Sequence, residues 1–309
     1  MSEDTNKNIN EQLDENIDTD VQDDLFDDDE PYGYSENDSE QQIQEIERFI
    51  AKYEEENGIQ QETTTEDDET SEFKEESLYI IIPAYNEESN IEKTVEEWYP
   101  ILNIYNNESC LVVVNDGSTD NTYEILQKMQ ETYPKLIVLD KENGGHGSAV
   151  MHGYQYAVDN CADMIFQTDA DGQTRAEDFD YFIRHIKYHD AIIGKRTKRG
   201  DGASRKFVEN SLCAILRVIF GVKLEDANAP FRLMRTKLVE KYLGLIEKDE
   251  PLPNVMLSVY FAYYKENVQY RNISFGKRTA GKNSINVIKI ANIGKEAVKR
   301  FKQYKKTMP

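Results

Sequence analysis

Residues 166–174 read FQTDADGQT and continue an apolar run that begins at residue 164. The run predicts a short buried strand, and two carboxylates, Asp169 and Asp171, stand one residue apart where that strand should end. In a continuing strand the two side chains would point to opposite faces. Gly172 lets the backbone turn, so both could reach one ligand. An isolated acidic pair before a glycine is commonly only a turn, so its surroundings decide its meaning.

The chain before and after this stretch alternates between predicted strands and helices. Short runs that are apolar on both faces predict strands: LYIIIP (78–83), SCLVVVND (109–116), KLIVLD (135–140), DMIFQTD (163–169) and DAIIG (190–194). Amphipathic stretches between them predict helices. Ser118 or Thr119, followed by Asp120, Asn121 and later Glu124, predicts a capping arrangement at the start of the second helix. This alternation predicts an α/β fold, a doubly wound and mostly parallel sheet flanked by helices.

Polar segments follow three of the predicted strands. They are PAYNE (83–87), NDGS (115–118) and DAD (169–171). Because ligands of an open α/β sheet bind beyond the carboxyl ends of its strands, the three segments predict one shared site. The carboxylates of Asp169 and Asp171 match a hard cation, Mg²⁺ or Mn²⁺, whose remaining positions could hold phosphate oxygens.

Four ordered motifs, IIIPAYNEESNI, VVNDGSTDNT, NGGHGSAVMHGYQYA and QTDADGQ, resemble the successive signatures of glycosyltransferase family 2. The resemblance implies a GT-A fold. It also implies that the enzyme transfers a sugar from a UDP-sugar or GDP-sugar donor with inversion at the anomeric carbon. DADGQ together with DANAPFRLM (226–234) is most similar to the dolichol- and polyprenyl-phosphate sugar synthases. The implied acceptor is a polyprenyl phosphate or a cell-surface glycan precursor, and the implied cofactor is Mg²⁺ or Mn²⁺.

The resemblance also implies roles for individual residues. Asp116 would hydrogen-bond the nucleobase. Asp169, Asp171 and Gln173 would hold the metal, and Asp169 would also contact the nucleotide. The residues of the first-strand motif, which would cradle the nucleobase and ribose, are Pro83, Ala84, Tyr85 and Glu87.

Basic side chains downstream supply candidates for binding the acceptor or its phosphate, because guanidinium groups match phosphate oxygens. These candidates are Arg196, Arg205, Arg232 and Lys282. Asp226 is the candidate catalytic base if the acceptor is a hydroxyl. A phosphate acceptor is already an anion and needs no base, in which case Asp226 would orient Arg232 or its loop. The sequence leaves both alternatives open.

Charge divides the chain into an acidic segment and a nearly neutral one. The whole chain has a net charge of −23, but residues 1–77 alone hold 29 acidic and 4 basic residues. This segment, with few apolar residues, predicts a mostly disordered tail with one short amphipathic helix near residues 41–56. The tail would either bind a protein partner or act as a solvating leader. The pattern of basic and aromatic residues does not favour nucleic-acid binding.

The expected glycosyltransferase domain spans residues 78–265, and residues 266–309 predict a basic strand, a loop and an amphipathic helix. That helix would either lie on an anionic membrane or cover the protein's own core. The sequence has no apolar run of the ~20 residues that cross a bilayer and no signal-peptide pattern. We therefore expect a cytoplasmic protein. If the helix lies on anionic lipid, the protein would also be peripheral at the inner face of the membrane. The alternative function is a catalytically silent nucleotide-sugar-binding or partner-recruiting protein.

Overall fold

A computed structural model describes residues 75–199, 203–276 and 287–309, without the side chains of 197–199, 203–207 and 287–295. Residues 1–74 of the predicted tail, with its helix near residues 41–56, and Lys282 lie outside the described residues.

The described chain contains one seven-stranded sheet with the order β3-β2-β1-β4-β6-β5-β7. Its strands are β1 (Leu78–Ala84), β2 (Cys110–Asn115), β3 (Leu136–Asp140), β4 (Met164–Gln167), β5 (Ala191–Arg199), β6 (Arg232–Arg235) and β7 (Val268–Phe275). Neighbouring strands are parallel except that β6 is antiparallel to both β4 and β5. The five predicted strands and the mostly parallel α/β sheet are confirmed. Strand β6, which separates β4 from β5, was not predicted from the sequence.

Eight α-helices flank the sheet in the described residues. They are α1 (Ile91–Trp98), α2 (Thr122–Gln130), α3 (His146–Asp159), α4 (Phe179–His185), α5 (Ala203–Phe220), α6 (Thr236–Leu243), α7 (Pro253–Tyr263) and α8 (Val287–Thr307). In the capping arrangement predicted at α2, Oδ1 of Asp120 accepts a hydrogen bond from the N–H of Thr122 at 3.0 Å, whereas neither Ser118 nor Thr119 is the N-cap. Asn121 is the N-cap without a side-chain hydrogen bond, and the Ser118 hydroxyl instead accepts a hydrogen bond from the backbone of Asn86.

The central strands are buried on both sides because helices cover both faces of the sheet. In β1, Ile81 packs into one core, whereas Ile80 and Ile82 pack into the other. Side chains of α3, α5, α6, α7 and α8 fill the first core, and those of α1, α2 and α4 fill the second. Each such isoleucine stabilises the fold by about 1.5–3 kcal/mol relative to an exposed position. This double cover explains why these strands read as continuous apolar runs.

The C-terminal helix α8 covers the first core along its described half. Ala297, Phe301 and Tyr304 are buried there, and the Phe301 ring lies 6.2 Å from that of Phe220. Of the two alternatives for this helix, packing on the protein's own core is therefore the one observed for residues 296–309. Within the described residues, no helix is both long and apolar enough to cross a bilayer.

Candidate functional site

A cavity of about 350 Å³ opens at the carboxyl ends of β1, β2 and β4, next to the first turn of α3. Seven residues predicted to bind the nucleotide or the metal line it: Pro83, Ala84, Tyr85, Glu87, Asp116, Asp169 and Asp171. The remaining lining residues, Asn143, Gly145, His146, Ala149 and Ala170, come from the start of α3 and from the turn after β4. From the sequence, seven of these twelve lining residues have assigned roles and His146 is a further candidate for a ligand contact, whereas Asn143 and Gly145 have no assigned role.

The segment after β1 is fixed to the segment before α2 by reciprocal hydrogen bonds. The backbone N–H of Asn86 donates to Ser118 Oγ at 3.0 Å, and Asn86 Oδ1 accepts from the N–H of Thr119 at 2.8 Å. Asn86 has a φ of +55°, a left-handed conformation that Asn tolerates better than most residues. The preceding Tyr85 remains 47% exposed, so its ring is available to a ligand.

Asp116 organises the loop that leads into α3. Its Oδ1 accepts hydrogen bonds from Lys141 Nζ at 2.6 Å and from the N–H of Gly144 at 2.9 Å, and its Oδ2 accepts from the N–H of Gly145 at 2.8 Å. A carboxylate can accept about four hydrogen bonds, so these three leave about one acceptor position for a nucleobase. The predicted contact between Asp116 and a nucleobase stays a prediction, whereas its structural role is observed.

A tight turn carries Asp169 and Asp171 onto one wall of the cavity. Gly172 adopts a φ of +68°, and the Thr168 and Thr174 hydroxyls close the turn at 2.7 Å. Oδ1 of Asp171 accepts a hydrogen bond from the N–H of Gln173 at 3.1 Å. The imidazole Nε2 of His146 lies 3.8 Å from Oδ1 of Asp169. The expectation that glycine brings both carboxylates to one site agrees with this geometry.

Gln173, the third predicted metal ligand, is directed elsewhere. It is 3% exposed, and its Nε2 donates to the carbonyl oxygen of Gly276 at 2.8 Å. The N–H of Gly276 donates in return to the carbonyl oxygen of Gln173 at 2.8 Å. This pair of bonds joins the turn after β4 to the end of β7. Gln173 is not among the residues that line the cavity.

The donor set fits a cation that is shared with a substrate. In the part of the chain that the structure describes, no three His, Cys, Asp or Glu side chains are grouped closely enough to hold a metal ion. Mg²⁺ is commonly bound through one or two carboxylates together with substrate phosphates. Asp169 and Asp171, both only partly buried, meet that requirement.

Asp226 and Arg196 form an ion pair with two side-chain hydrogen bonds. The Arg196 guanidinium donates from Nε to Oδ2 at 2.7 Å and from Nη2 to Oδ1 at 2.6 Å. Burial would lower the pKa of Arg196, but the hydrogen bonds and charge of Asp226 outweigh it and raise that pKa. Asp226 is 2% exposed, so the ion pair does not present a free carboxylate to an acceptor. Of the two alternatives for Asp226, the geometry favours an orienting role, toward Arg196 rather than Arg232.

Arg232 does not lie where a phosphate could contact it. The side chain is 0% exposed, and burial lowers its pKa. Its Nε and Nη2 donate to the carbonyl oxygen of Ala229 at 2.9 and 2.6 Å, and Nη1 donates to that of Asn254 at 3.2 Å. The predicted phosphate contact of Arg232 therefore needs correcting, because the chain's own carbonyls hold this guanidinium. Arg205 belongs to α5, but its side chain is not described.

The family model for glycosyl transferase family 2 matches residues 79–243, which are more than half of the chain and include every strand that lines the cavity. The chain belongs to glycosyl transferase family 2. Its family 2 region contains the four ordered motifs from which the resemblance was inferred, so that inference is confirmed.

Two curated family 2 relatives act, by their names, on lipid phosphates. An undecaprenyl-phosphate 4-deoxy-4-formamido-L-arabinose transferase from Pectobacterium carotovorum subsp. carotovorum (strain PC1) is 25% identical over 220 residues, 70% of this chain and 65% of that protein. A dolichyl-phosphate beta-glucosyltransferase from Trichomonas vaginalis (strain ATCC PRA-98 / G3) is 32% identical over 181 residues, 52% of this chain and 54% of that protein. This chain thus spans less than two-thirds of the length of either relative.

A solved family 2 structure supports the GT-A arrangement. Glucosyl-3-phosphoglycerate synthase from Mycobacterium tuberculosis, crystallised with Mn²⁺, UDP and glucosyl-3-phosphoglycerate, aligns with a TM-score of 0.54 and 15% identity. The alignment covers 81% of this chain and 87% of that one. At this level of identity the likeness concerns the fold alone.

Proposed function

We propose that this family 2 glycosyltransferase moves a sugar from a nucleotide-diphosphate donor to a polyprenyl phosphate, with inversion at the anomeric carbon. The observation that carries the proposal is the cavity that Tyr85, Asp169 and Asp171 line together. An exposed aromatic ring suits a nucleobase, and the carboxylate pair suits a metal-bound diphosphate. The sugar attached to that diphosphate would then project from the mouth of the cavity.

The chain's own backbone favours an anionic donor at this place. Helix α3 begins at His146, and both His146 and the preceding Gly145 line the cavity. The N-terminus of a helix carries a partial positive charge and free N–H groups, which stabilise phosphate oxygens. Asp169 and Asp171 repel such a group unless a cation stands between them. The two carboxylates and the helix terminus thus fit a donor that arrives with its metal.

Asp169 and Asp171 are the residues that would hold Mg²⁺ or Mn²⁺. When bound, such a cation neutralises negative charge that grows on the diphosphate as it leaves. We propose that Asp171, on the wall of the cavity, contributes directly to this site, with Asp169 beside it. Gln173 would contact the metal only if its side chain gave up the hydrogen bond to the carbonyl oxygen of Gly276.

The pairing of Asp226 with Arg196 favours an acceptor that is already an anion. A hydroxyl acceptor must give up a proton to a base, and Asp226 is committed to Arg196. A phosphate oxygen can attack the anomeric carbon without losing a proton. The bond from that carbon to the donor phosphate breaks, and its electron pair leaves with the nucleoside diphosphate. The names of the relatives, which specify undecaprenyl and dolichyl phosphates, support the same acceptor class.

A lipid-phosphate acceptor would bring the protein to a membrane surface. Lys299, Lys302 and Lys306 are exposed on the described half of α8 and could face anionic headgroups. Each basic residue near such a surface contributes roughly 1 kcal/mol of attraction. Residues 1–77, with a net charge of −25, would oppose this approach unless they bind a partner. Membrane contact at the inner face and a partner for this segment both stay predictions.

The competing candidate is a catalytically silent nucleotide-sugar-binding protein. Incubation with Mn²⁺ and a panel of UDP- and GDP-sugars separates the two. For the transferase we expect slow hydrolysis of one donor in the absence of an acceptor. Adding a polyprenyl phosphate should speed the consumption of that donor and give the glycosylated polyprenyl phosphate. Donor binding without turnover in the presence of polyprenyl phosphates would identify the silent alternative.

A further inference from the structure

A buried polar network lies beneath Asp169, between the sheet and helices α3 and α7. Gln167 of β4, Tyr154 of α3 and Asn254 of α7 are each at most 2% exposed. Oε1 of Gln167 is within hydrogen-bond distance of the Tyr154 hydroxyl, at 2.8 Å, and of Nδ2 of Asn254, at 2.7 Å. An amide oxygen has two acceptor positions, and Nδ2 of Asn254 can occupy one of them. The Tyr154 hydroxyl has a single hydrogen, which it can direct to Oε1 of Gln167 or to Oδ1 of Asn254 at 2.9 Å.

The orientation of the Gln167 side chain follows from these bonds. A primary amide carries its acceptor and its donor on opposite arms, so fixing the oxygen directs the nitrogen the other way. Nε2 of Gln167 accordingly faces Oδ1 of Asp169 at 3.5 Å. This separation is at the outer limit for a hydrogen bond. The amide nitrogen therefore lies beside one oxygen of the Asp169 carboxylate.

Arg232 and Ser258 fix the network from the side away from the cavity. Arg232 is the direct partner of Gln167 across the β4–β6 pair. Its Nη1 donates to the carbonyl oxygen of Asn254 at 3.2 Å, and the Ser258 hydroxyl donates to the same oxygen at 2.8 Å. The first turn of α7 is thereby held against the sheet. Flipping the Asn254 amide would set its oxygen against Oε1 of Gln167, which costs a buried hydrogen bond.

We propose that Gln167 is a positioning residue for the donor site, and that Tyr154 and Asn254 determine which way its amide faces. The proposal rests on the proposed function, in which Asp169 helps to hold a metal-bound diphosphate. The alternative is that the network merely satisfies buried polar groups. The strand residues before Gln167 are apolar, and an apolar side chain would fill this position without the cost of burying an amide. Partners that orient a metal-binding group commonly affect metal affinity as well.

The test compares nucleotide binding with and without metal. Calorimetry measures the Kd of UDP and of GDP in Mn²⁺ and in EDTA, well below the melting temperature of each variant. Gln167→Met keeps the length of the side chain but removes both amide functions. Tyr154→Phe keeps the ring and removes only the hydroxyl, which protects the test if the first variant folds poorly. Tyr156→Phe, on the same helix with its ring 6.2 Å from that of Tyr79, is the matched control.

We expect Gln167→Met to reduce the affinity gained from Mn²⁺ by about 10-fold or more, with little change in EDTA. Tyr154→Phe should cause a smaller loss in the same direction, and Tyr156→Phe should match the wild type. Equal losses with and without metal, or no loss in folded Gln167→Met, would overturn the positioning role and leave the proposed function intact. If the wild type itself binds neither nucleotide more tightly with Mn²⁺, the proposed metal-dependent function fails, and this inference fails with it.

Discussion

Arg196 and Asp226 form a two-bond ion pair that joins strand β5 to the loop before β6, with both side chains largely shielded from water. Glu209 of α5 strengthens the same junction, because its Oε1 accepts a hydrogen bond from the N–H of Ala227 at 2.8 Å. Arg196 was a candidate for binding the acceptor phosphate and Asp226 the candidate base, but in the structure the two side chains bind each other. We therefore propose that transfer in the cavity does not use Asp226 as its base.

Asp226→Asn tests this consequence. Loss of the charge leaves a partly buried guanidinium poorly compensated, so we expect the free energy of unfolding to fall by about 3 kcal/mol. Transfer to a phosphate acceptor should persist in the protein that remains folded. Urea unfolding and a transfer assay measure the two effects. Glu225→Gln removes a carboxylate that pairs with Lys195 on the surface, and this control should change stability by less than about 1 kcal/mol. Wild-type stability combined with turnover that is slower by roughly two orders of magnitude would instead identify Asp226 as the base.

Asp171→Asn should remove the metal-dependent part of nucleotide binding while the protein stays folded. Asp171 lines the cavity, and the amide is nearly the same size but lacks the charge that a hard cation requires. Calorimetry with UDP and GDP, in Mn²⁺ and in EDTA, provides the measurement. Asp180→Asn is the control, because Asp180 pairs with Arg184 on the exposed face of α4. Unchanged Mn²⁺ dependence in Asp171→Asn would remove this residue from the metal site.

Gly147→Ala should disturb the cavity through the first turn of α3. A Cβ at this position would lie 2.4 Å from the carbonyl oxygen of Glu250 and 2.6 Å from the carbonyl carbon of Pro251. Both neighbours are backbone atoms, so we expect a loss of about 1–3 kcal/mol in stability and weaker donor binding. Gly244→Ala is the control, since its Cβ would meet nothing within 4 Å. Equal melting temperatures for the two variants would show that the backbone at Glu250 and Pro251 can shift to accommodate the added Cβ without loss of stability.

Glu250 should make stability depend on pH in a defined direction. Burial raises the pKa of this carboxyl, although Leu252, Tyr304 and Arg300 act to lower it. A carboxyl with a higher pKa in the folded protein contributes stability that is lost as pH rises through that pKa. Glu250→Gln escapes this loss, so its stability relative to the wild type should increase from about pH 4 to pH 8.

Urea unfolding at several pH values measures the effect, with Glu247→Gln as the control. Glu247 lies beside the same Arg300, but its side chain is 59% exposed. Wild type and Glu250→Gln with parallel pH profiles would show that burial does not control the ionisation of Glu250.

The sequence predicted the parts of the fold that depend on local pattern. Runs such as Ile80–Ile82 are apolar throughout because both faces of the sheet are covered, and that requirement is visible in the residues themselves. Strand β6 was missed because RLMR has only four residues, and its place between β4 and β5 depends on pairing with distant segments. The two carboxylates after β4 were found because a strand end and a glycine mark them.

The partners of charged side chains were harder to predict. Arg196 and Asp226 are 30 residues apart, and nothing in their spacing indicates that they meet. Arg232 looks like a phosphate ligand by residue type, but the structure shows its guanidinium bonded to the carbonyl oxygens of Ala229 and Asn254. Gln167 gave one overlooked signal: an amide in an otherwise apolar strand that is fully buried. Residue type was enough to predict where the site lies. Which side chains pair with each other inside it could be seen only in the tertiary structure.

If this cavity transfers a sugar to a lipid phosphate, a polyprenyl phosphate should be preferred over a neutral sugar when the two acceptors compete. The protein is incubated with Mn²⁺, the donor that it hydrolyses, a polyprenyl phosphate and a neutral sugar acceptor, and the products are separated and their anomeric configuration determined. We predict that the polyprenyl phosphate is the glycosylated product, with the anomeric configuration inverted, and that EDTA or Asp171→Asn abolishes its formation. Preferential glycosylation of the neutral sugar, or retention of configuration, would contradict the account.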